Sequence, residues 1–223
     1  MKQTKFSFLV FFLAFSLSQY LTQPVFGQER ILTGAERSEL YLPLLQGKKV
    51  GFVGNQTSMM PQSTNKHVVD FLLEKGVQVK KVFVPEHGFR GTADAGEKVD
   101  NTVDQKTGLP IISLYGNNKK PTSSQIADLD IVIFDLQDVG TRFFTYISTM
   151  HYVMEACAEQ GKKVIIFDRP NPNASYIDGP MLKPGFESFV GMHNIPIVHG
   201  LTVGELAKMI NGEKWLKGGL TVD

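Results

Sequence analysis

In LDIVIFDLQ, residues 129–137, Ile131, Val132, Ile133 and Phe134 follow one another without the polar alternation of a half-exposed strand. A short β-branched run of this kind describes a strand covered on both faces. The stretch FFTYISTMHYVMEACAEQG (143–161) comes next, apolar at helical spacing and closed by Gly161, and KKVIIFDRP (162–170) then repeats the first pattern. Strand, helix and strand in this order form a crossover unit, and such units build parallel sheets of one hand.

The same pattern extends upstream. KKVGFVGNQT (48–57), VKKVFVPE (79–86) and LPIISLYG (109–116) are further strand runs, and NKHVVDFLLEKGV (65–77) supplies a helix closed by Gly76. The expected fold class is therefore α/β, a doubly wound, Rossmann-like, mainly parallel sheet; sequence alone leaves the strand order open. Residues 87–108 are polar and long for a connection, which favours a functional loop. Residues 171–200, rich in Pro, Gly and Asn, form a second excursion before TVGELAKMIN (202–211), a helix that Thr202 and Glu205 can cap reciprocally. WLKGGLTVD (215–223) reads as the approach to another strand.

The chain has 223 residues, with 23 Lys+Arg against 22 Asp+Glu, and so lacks the basic excess of a nucleic-acid binder. Its one cysteine, Cys157, sits in an apolar helical run and reads as a packed, inert thiol. At the N-terminus two lysines precede an apolar run from Phe6 to Leu17 and a polar tract ending at Gly27. That is the layout of a cleavable secretory signal over residues 1–27, with an uncleaved anchor as the alternative. The expected product is exported and periplasmic, without stable membrane insertion after cleavage. Residues 28–223 then read as one Rossmann-like domain that stops in mid-course.

Ligands of open parallel sheets bind outside the carboxyl ends of the strands. Polar groups collect there in every run: Asn55 after the first, Glu86, His87 and Arg90 after the second, Tyr115 after the third, Asp135, Gln137, Asp138 and Arg142 after the fourth, Asp168 and Arg169 after the fifth. Each has a plainer explanation. Glu86 and Arg90 can pair across a turn, His87 can bond the backbone, Asp138 can cap the following helix, and Asp168–Arg169 can lock a rigid turn before Pro170. His199 can anchor a loop or reach the crevice.

Several sites are missing from the sequence. GFVGNQTS (51–58) is only a partial glycine pattern, so no nucleotide cofactor is expected, and no cofactor of another kind is indicated. No G-x-S-x-G elbow is present, and the His and carboxylate residues are too dispersed for a zinc motif, so no metal is assigned. Carboxylate and imidazole chemistry in a polar crevice remains, and hydrolysis of a glycosidic bond fits it.

VPEHGFRG (84–91), DLQDVGTRFFTYISTM (135–150), FDRPNP (167–172) and IPIVHGLTVGELA (195–207), in this order and spacing, resemble the exo-β-N-acetylmuramidases of the NamZ type, glycoside hydrolase family 171, formerly a domain of unknown function. The resemblance runs from about Gly47 to the C-terminus. It implies a Rossmann-like domain that, with a smaller C-terminal domain, releases non-reducing terminal N-acetylmuramic acid from peptidoglycan fragments. Carried onto this chain, it makes Glu86 the catalytic acid with His87 beside it. Asn55, Arg90, Glu97, Tyr115, Asp135, Gln137, Arg142, Asp168, Arg169 and His199 become candidates for the sugar site, with Arg90 or Arg142 for the lactyl carboxylate. Asp135 or Glu97 is the candidate second carboxylate, or the substrate's acetamido group takes its place. By the same resemblance residues 28–223 are the Rossmann-like catalytic domain, truncated before a C-terminal auxiliary domain, and the expected partners are a peptidoglycan-derived sugar and a second chain able to supply the missing domain. The alternative is a non-catalytic muropeptide sugar-binding module.

Overall fold

Val53, Phe83, Val132 and Phe134 pack into one apolar cluster, and Val50, Phe52, Val82 and Ile133 into another, so successive strand residues serve opposite faces of one sheet. The computed structural model describes residues 31–60, 66–86, 88–90 and 101–223. The expected signal segment, His87 and Glu97 lie outside the described residues.

The strands are β1 (Lys49–Gly54), β2 (Met59–Met60), β3 (Lys66–His67), β4 (Gln78–Val84), β5 (Thr102–Val103), β6 (Pro110–Ser113), β7 (Ile131–Asp135) and β8 (Lys163–Ile166). The helices are α1 (Ser38–Leu45), α2 (Val68–Glu74), α3 (Ser123–Ile126), α4 (Tyr146–Glu159) and α5 (Val203–Gly212). Six strands form the main sheet in the order β5-β6-β4-β1-β7-β8, while β2 and β3 make a separate hairpin. All main-sheet neighbours are parallel except β5 with β6. Numbering the five parallel strands along the chain gives the order 3-2-1-4-5, so the direction of winding reverses between β1 and β7. A doubly wound sheet opens its ligand crevice at that reversal.

Two helical layers cover the sheet. α1 and α2 close one face with Tyr41, Leu45, Val68, Val69 and Leu72. α4 and α5 close the other with Ile147, Met150, Val153, Leu206 and Ile210. Each fully buried side chain of this size contributes roughly 1.5–3 kcal/mol. Cys157 is buried within the second layer, and burial pushes its thiol up to about 12, which leaves it protonated and inert.

Local chemistry sets the ends. Gly76 and Gly161 adopt φ of 75° and 60° just past α2 and α4, as the sequence predicts. Thr202 and Glu205 form the expected capping box, with Glu205 N donating to Thr202 Oγ1 at 3.2 Å and Thr202 N to Glu205 Oε2 at 2.8 Å. Asp138 does not cap α4, whose N-cap is Thr145; instead its Oδ2 accepts from Gly140 N at 2.6 Å. The antiparallel β5 lies in what the sequence presents only as polar loop.

Gly140 has φ of 76°, and a Cβ there would collide with the Asn171 side-chain amide. That amide is already committed: Nδ2 donates to Leu201 O at 2.9 Å and Oδ1 accepts from Asn173 N at 2.8 Å. Gly140→Ala combines a left-handed backbone with a clash against a fixed side chain. It is expected to lower stability by roughly 2–3 kcal/mol in urea unfolding, and a loss below about 0.5 kcal/mol would contradict this placement.

Candidate functional site

Asn55 follows β1 and is completely buried. Its Oδ1 accepts from Thr57 N at 2.8 Å and Thr57 Oγ1 at 2.6 Å, and its Nδ2 donates to Tyr146 Oη at 2.8 Å. Asn55 O meets His67 Nε2 at 2.9 Å, while His67 Nδ1 accepts from Val69 N at 3.2 Å and so caps α2. The loop after β1 is thereby fixed to both helical layers, with the phenol of Tyr146 held at the first turn of α4.

Glu86 leaves β4 through Pro85 and is half-buried. Tyr115, beyond β6, donates its phenol hydrogen to Glu86 Oε1 at 3.3 Å. The negative charge of Glu86 raises the Tyr115 phenol, with partial desolvation acting in the same direction. Tyr146 is raised chiefly by burial and also by the Glu86 charge, against the Asn55 hydrogen bond. Two strand ends and a helix start thus bring Glu86, Tyr115 and Tyr146 to one part of the sheet edge, with Asn55, itself without exposed surface, anchoring Tyr146 from below. Two protonated phenols and a carboxyl group can donate and accept protons toward a polar ligand. Sequence reasoning missed Tyr146, whose only signal is a polar tip at the start of an apolar helix.

Asp135 and Arg169, both candidates for the sugar site, pair with each other inside the fold. Asp135 is completely buried, and Arg169 grips it through Nε to Oδ1 at 2.6 Å and Nη2 to Oδ2 at 3.0 Å. Burial pushes the Asp135 carboxyl up against the pull of Arg169. Asp135 has no exposed surface, and both of its carboxylate oxygens are engaged by Arg169.

Asp168 likewise works within the fold. Its carboxylate accepts from Thr202 Oγ1 at 2.8 Å and Gly204 N at 2.7 Å, docking the start of α5 onto the end of β8. Arg142 uses Nη1 to hold the carbonyls of Pro180 at 2.9 Å and Ile195 at 2.5 Å, which pins the 171–200 excursion. Gln137 bridges Asp138 O at 2.7 Å and Pro170 O at 2.9 Å.

Arg90 does not present the open fork that a lactyl carboxylate needs. Its Nε and Nη2 donate to Asp104 at 2.8 Å, and Nη2 also reaches Asp70 at 3.0 Å. Hydrogen bonds from Arg90 first, and from Thr107, bring Asp104 down to about 2 against burial. Asp70 is also lowered: burial opposes this, and Arg90 and Lys106 outweigh it. Arg90 lines a pocket of about 440 Å³ with Gln56, Lys66, His67 and Lys106.

His199 is buried rather than lining an open crevice. Its Nδ1 accepts from Leu201 N at 3.2 Å, which places the remaining proton on Nε2, 3.6 Å from Asp138 Oδ2. Beyond it, His193 Nε2 and His151 Nδ1 lie 3.1 Å apart, and His151 Nε2 is 3.7 Å from Glu155, which Lys120 holds at 2.7 Å. Burial, then the neighbouring histidines, bring His193 down to about 3, and burial also lowers His151.

A folded-state value below the unfolded one means that His193 contributes stability above the ordinary histidine range, near 6.5, and that this is lost as pH falls toward 3. The slope for one such group is about 1.4 kcal/mol per pH unit. Urea unfolding of the wild-type chain between pH 7 and pH 4 is expected to steepen below pH 6.5. The slope of His193→Gln should be flatter by about that amount per unit. Parallel curves for the two proteins would show that His193 is not the group that resists protonation.

Fold and site together define a Rossmann-like domain with a carboxyl group and two phenols at the carboxyl edge of its sheet. Residues 50–222 match the family described as "Exo-beta-N-acetylmuramidase NamZ, N-terminal", and the chain belongs to this family. It is 46% identical over 184 residues to the Peptidoglycan beta-N-acetylmuramidase NamZ of Bacillus subtilis (strain 168), a match covering 82% of this chain and 44% of that protein. Crystal structures of two DUF1343 family proteins from Bacteroides fragilis NCTC 9343 superpose with a TM-score of 0.78 each, at 46% and 41% identity. Each match covers 87% of this chain and 50% or 49% of the relative. The chain therefore spans about half the length of the relatives it matches.

Proposed function

We propose that this chain carries the acid-bearing wall of a peptidoglycan-directed exo-β-N-acetylmuramidase, with Glu86 as the proton donor to the leaving oxygen. The observation that carries the proposal is the placement of Glu86 beside Tyr115 at the carboxyl edge of the sheet, in a chain of this family. The Bacillus subtilis relative, named as a peptidoglycan β-N-acetylmuramidase, supports the substrate class.

Protonation of a glycosidic oxygen is general-acid work, and a phenol donating to the same carboxyl group fixes its orientation. Tyr146, anchored by Asn55, offers a second hydroxyl to the ligand. With Asp135 held under the surface, the second group comes from elsewhere, either the Glu97 carboxylate or, in its place, the neutral acetamido oxygen of the substrate. The charged start, apolar run and small residue of Met1–Gly27 support export to the periplasm, where peptidoglycan fragments are found.

Incubation with fragments that end in N-acetylmuramic acid, beside fragments that end in N-acetylglucosamine, tests the substrate. Release of the free terminal sugar from the first set alone is expected, and equal release from both sets would refute the specificity. The second reading is a sugar-binding module without turnover, which the hydrogen-bonding groups at the sheet edge also support. Binding of N-acetylmuramic acid without release from either set would select it.

A further inference from the structure

The two phenols at the sheet edge are held with opposite hydrogen-bond polarity. Tyr115 Oη donates its proton to Glu86 Oε1 at 3.3 Å, so what it keeps for a ligand is an acceptor. Tyr146 is set the other way by Asn55. Thr57 N is a backbone amide that can only donate, and it lies 2.8 Å from Asn55 Oδ1, with Thr57 Oγ1 at 2.6 Å from the same atom. Thr57 Oγ1 itself accepts from Gln137 N at 3.2 Å, which leaves its proton for Asn55. The Asn55 amide is thereby fixed with its oxygen toward Thr57 and its amino side toward Tyr146, and Nδ2 donates to Tyr146 Oη at 2.8 Å.

A phenol oxygen that accepts from an amide still carries its own proton. Among the described residues that proton meets no acceptor, and the bond from Asn55 is the hydrogen bond that Tyr146 Oη makes. The ring packs in the apolar cluster beside Phe144, at 4.6 Å between centroids, and 6% of the residue stays exposed. A donor so deeply buried costs free energy until an acceptor reaches it. Burial raises the Tyr146 phenol and the Glu86 charge adds to it, so the donor stands near the acid and stays protonated. Gln137, at the same edge, spends both protons of Nε2 on Asp138 O at 2.7 Å and Pro170 O at 2.9 Å.

We infer that Tyr146 is a specificity-determining residue that donates to the carbonyl oxygen of the acetamido group on the terminal sugar, with Asn55 holding the phenol in that sense. A one-way donor matches an oxygen that can only accept. N-acetylmuramic acid offers two strong acceptors of that kind, the acetamido carbonyl on the second ring carbon and the lactyl carboxylate on the third. Glu86 addresses the oxygen on the first ring carbon, and the second carbon is its neighbour. The carboxylate is also an anion, and a further negative charge beside Glu86 is repelled. The neutral carbonyl fits on both counts. A buried donor of this kind discriminates strongly, because a ligand without the acceptor leaves it unpaired. The inference rests on the reading of this edge as the sugar site, and it does not require turnover.

The test is a ligand-detected NMR titration of the 223-residue chain with the methyl glycoside of N-acetylmuramic acid and with its analogue carrying hydrogen in place of the acetamido group. Tyr146→Phe deletes the hydroxyl and keeps the ring in the apolar cluster. It is expected to weaken binding of the N-acetylmuramide about tenfold and to leave the deoxy analogue within about twofold of wild type. Asn55→Asp keeps the shape of the side chain but offers Tyr146 an acceptor, which turns the phenol proton inward. It is expected to give the same selective loss, and to add little in the Tyr146→Phe background. A role in packing alone weakens both glycosides together, and that result would overturn the inference. So would undiminished binding of the N-acetylmuramide by either variant. A wild-type chain that binds neither glycoside would overturn it together with the sugar-site reading. The selective loss in a chain without turnover would support it and remove only the proton-donor role of Glu86.

Discussion

Arg169→Met is expected to destabilise the chain by about 3–5 kcal/mol, the range for removing one partner of a buried ion pair. Asp135 has no exposed surface, and Arg169 supplies the charge-assisted bonds that hold both of its carboxylate oxygens. The same guanidinium donates to Met59 O at 3.1 Å, so the β2–β3 hairpin loses an anchor as well. Without Arg169 the carboxylate has two outcomes, an unpaired buried charge or uptake of a proton, and both cost free energy. The double variant Asp135→Leu/Arg169→Met removes the charge along with its partner and should recover much of the loss, because an apolar pair of similar volume is often neutral or better. Urea unfolding of both variants checks this. A single variant within about 1 kcal/mol of wild type would show that Asp135 is not the buried, Arg169-paired carboxylate described here.

The alternation of apolar strands and helices was fully legible, because a strand covered on both faces needs a continuous apolar run and a crossover helix needs an amphipathic one. Ile131–Phe134 and Val164–Ile166 carried that signal in their composition alone. Strand order was not legible, since β1 must choose between neighbours with equally apolar edges. The antiparallel β5 is two residues long, too short to show a period.

The site was legible to the level of which strand end a residue leaves, and no further. Glu86 and Tyr115, 29 positions apart, both follow neighbouring parallel strands and do meet. Asp135 and Asp168 also end strands, but depth below the surface is set by packing against helices distant in sequence, and both are spent inside the fold. Arg90 showed the same limit. Its partners Asp104 and Asp70 lie 14 and 20 positions away in opposite directions, on segments with no strand signal to bring them together.

Glu86→Gln is the second large effect. The amide keeps the size and shape of the side chain and can still accept from Tyr115 Oη, so the fold is expected to be unchanged. It cannot deliver a proton to a leaving alkoxide, and loss of a positioned general acid costs about 10²–10⁴-fold in rate. Release of N-acetylmuramic acid from a chromogenic N-acetylmuramide by the purified chain, beside Glu86→Gln at matched unfolding midpoints, measures this directly. Wild-type turnover falling at least about 100-fold in the variant is the result predicted. Equal release by both proteins would contradict the role given to Glu86, and no release by either, with the sugar still bound, would contradict catalysis by this chain.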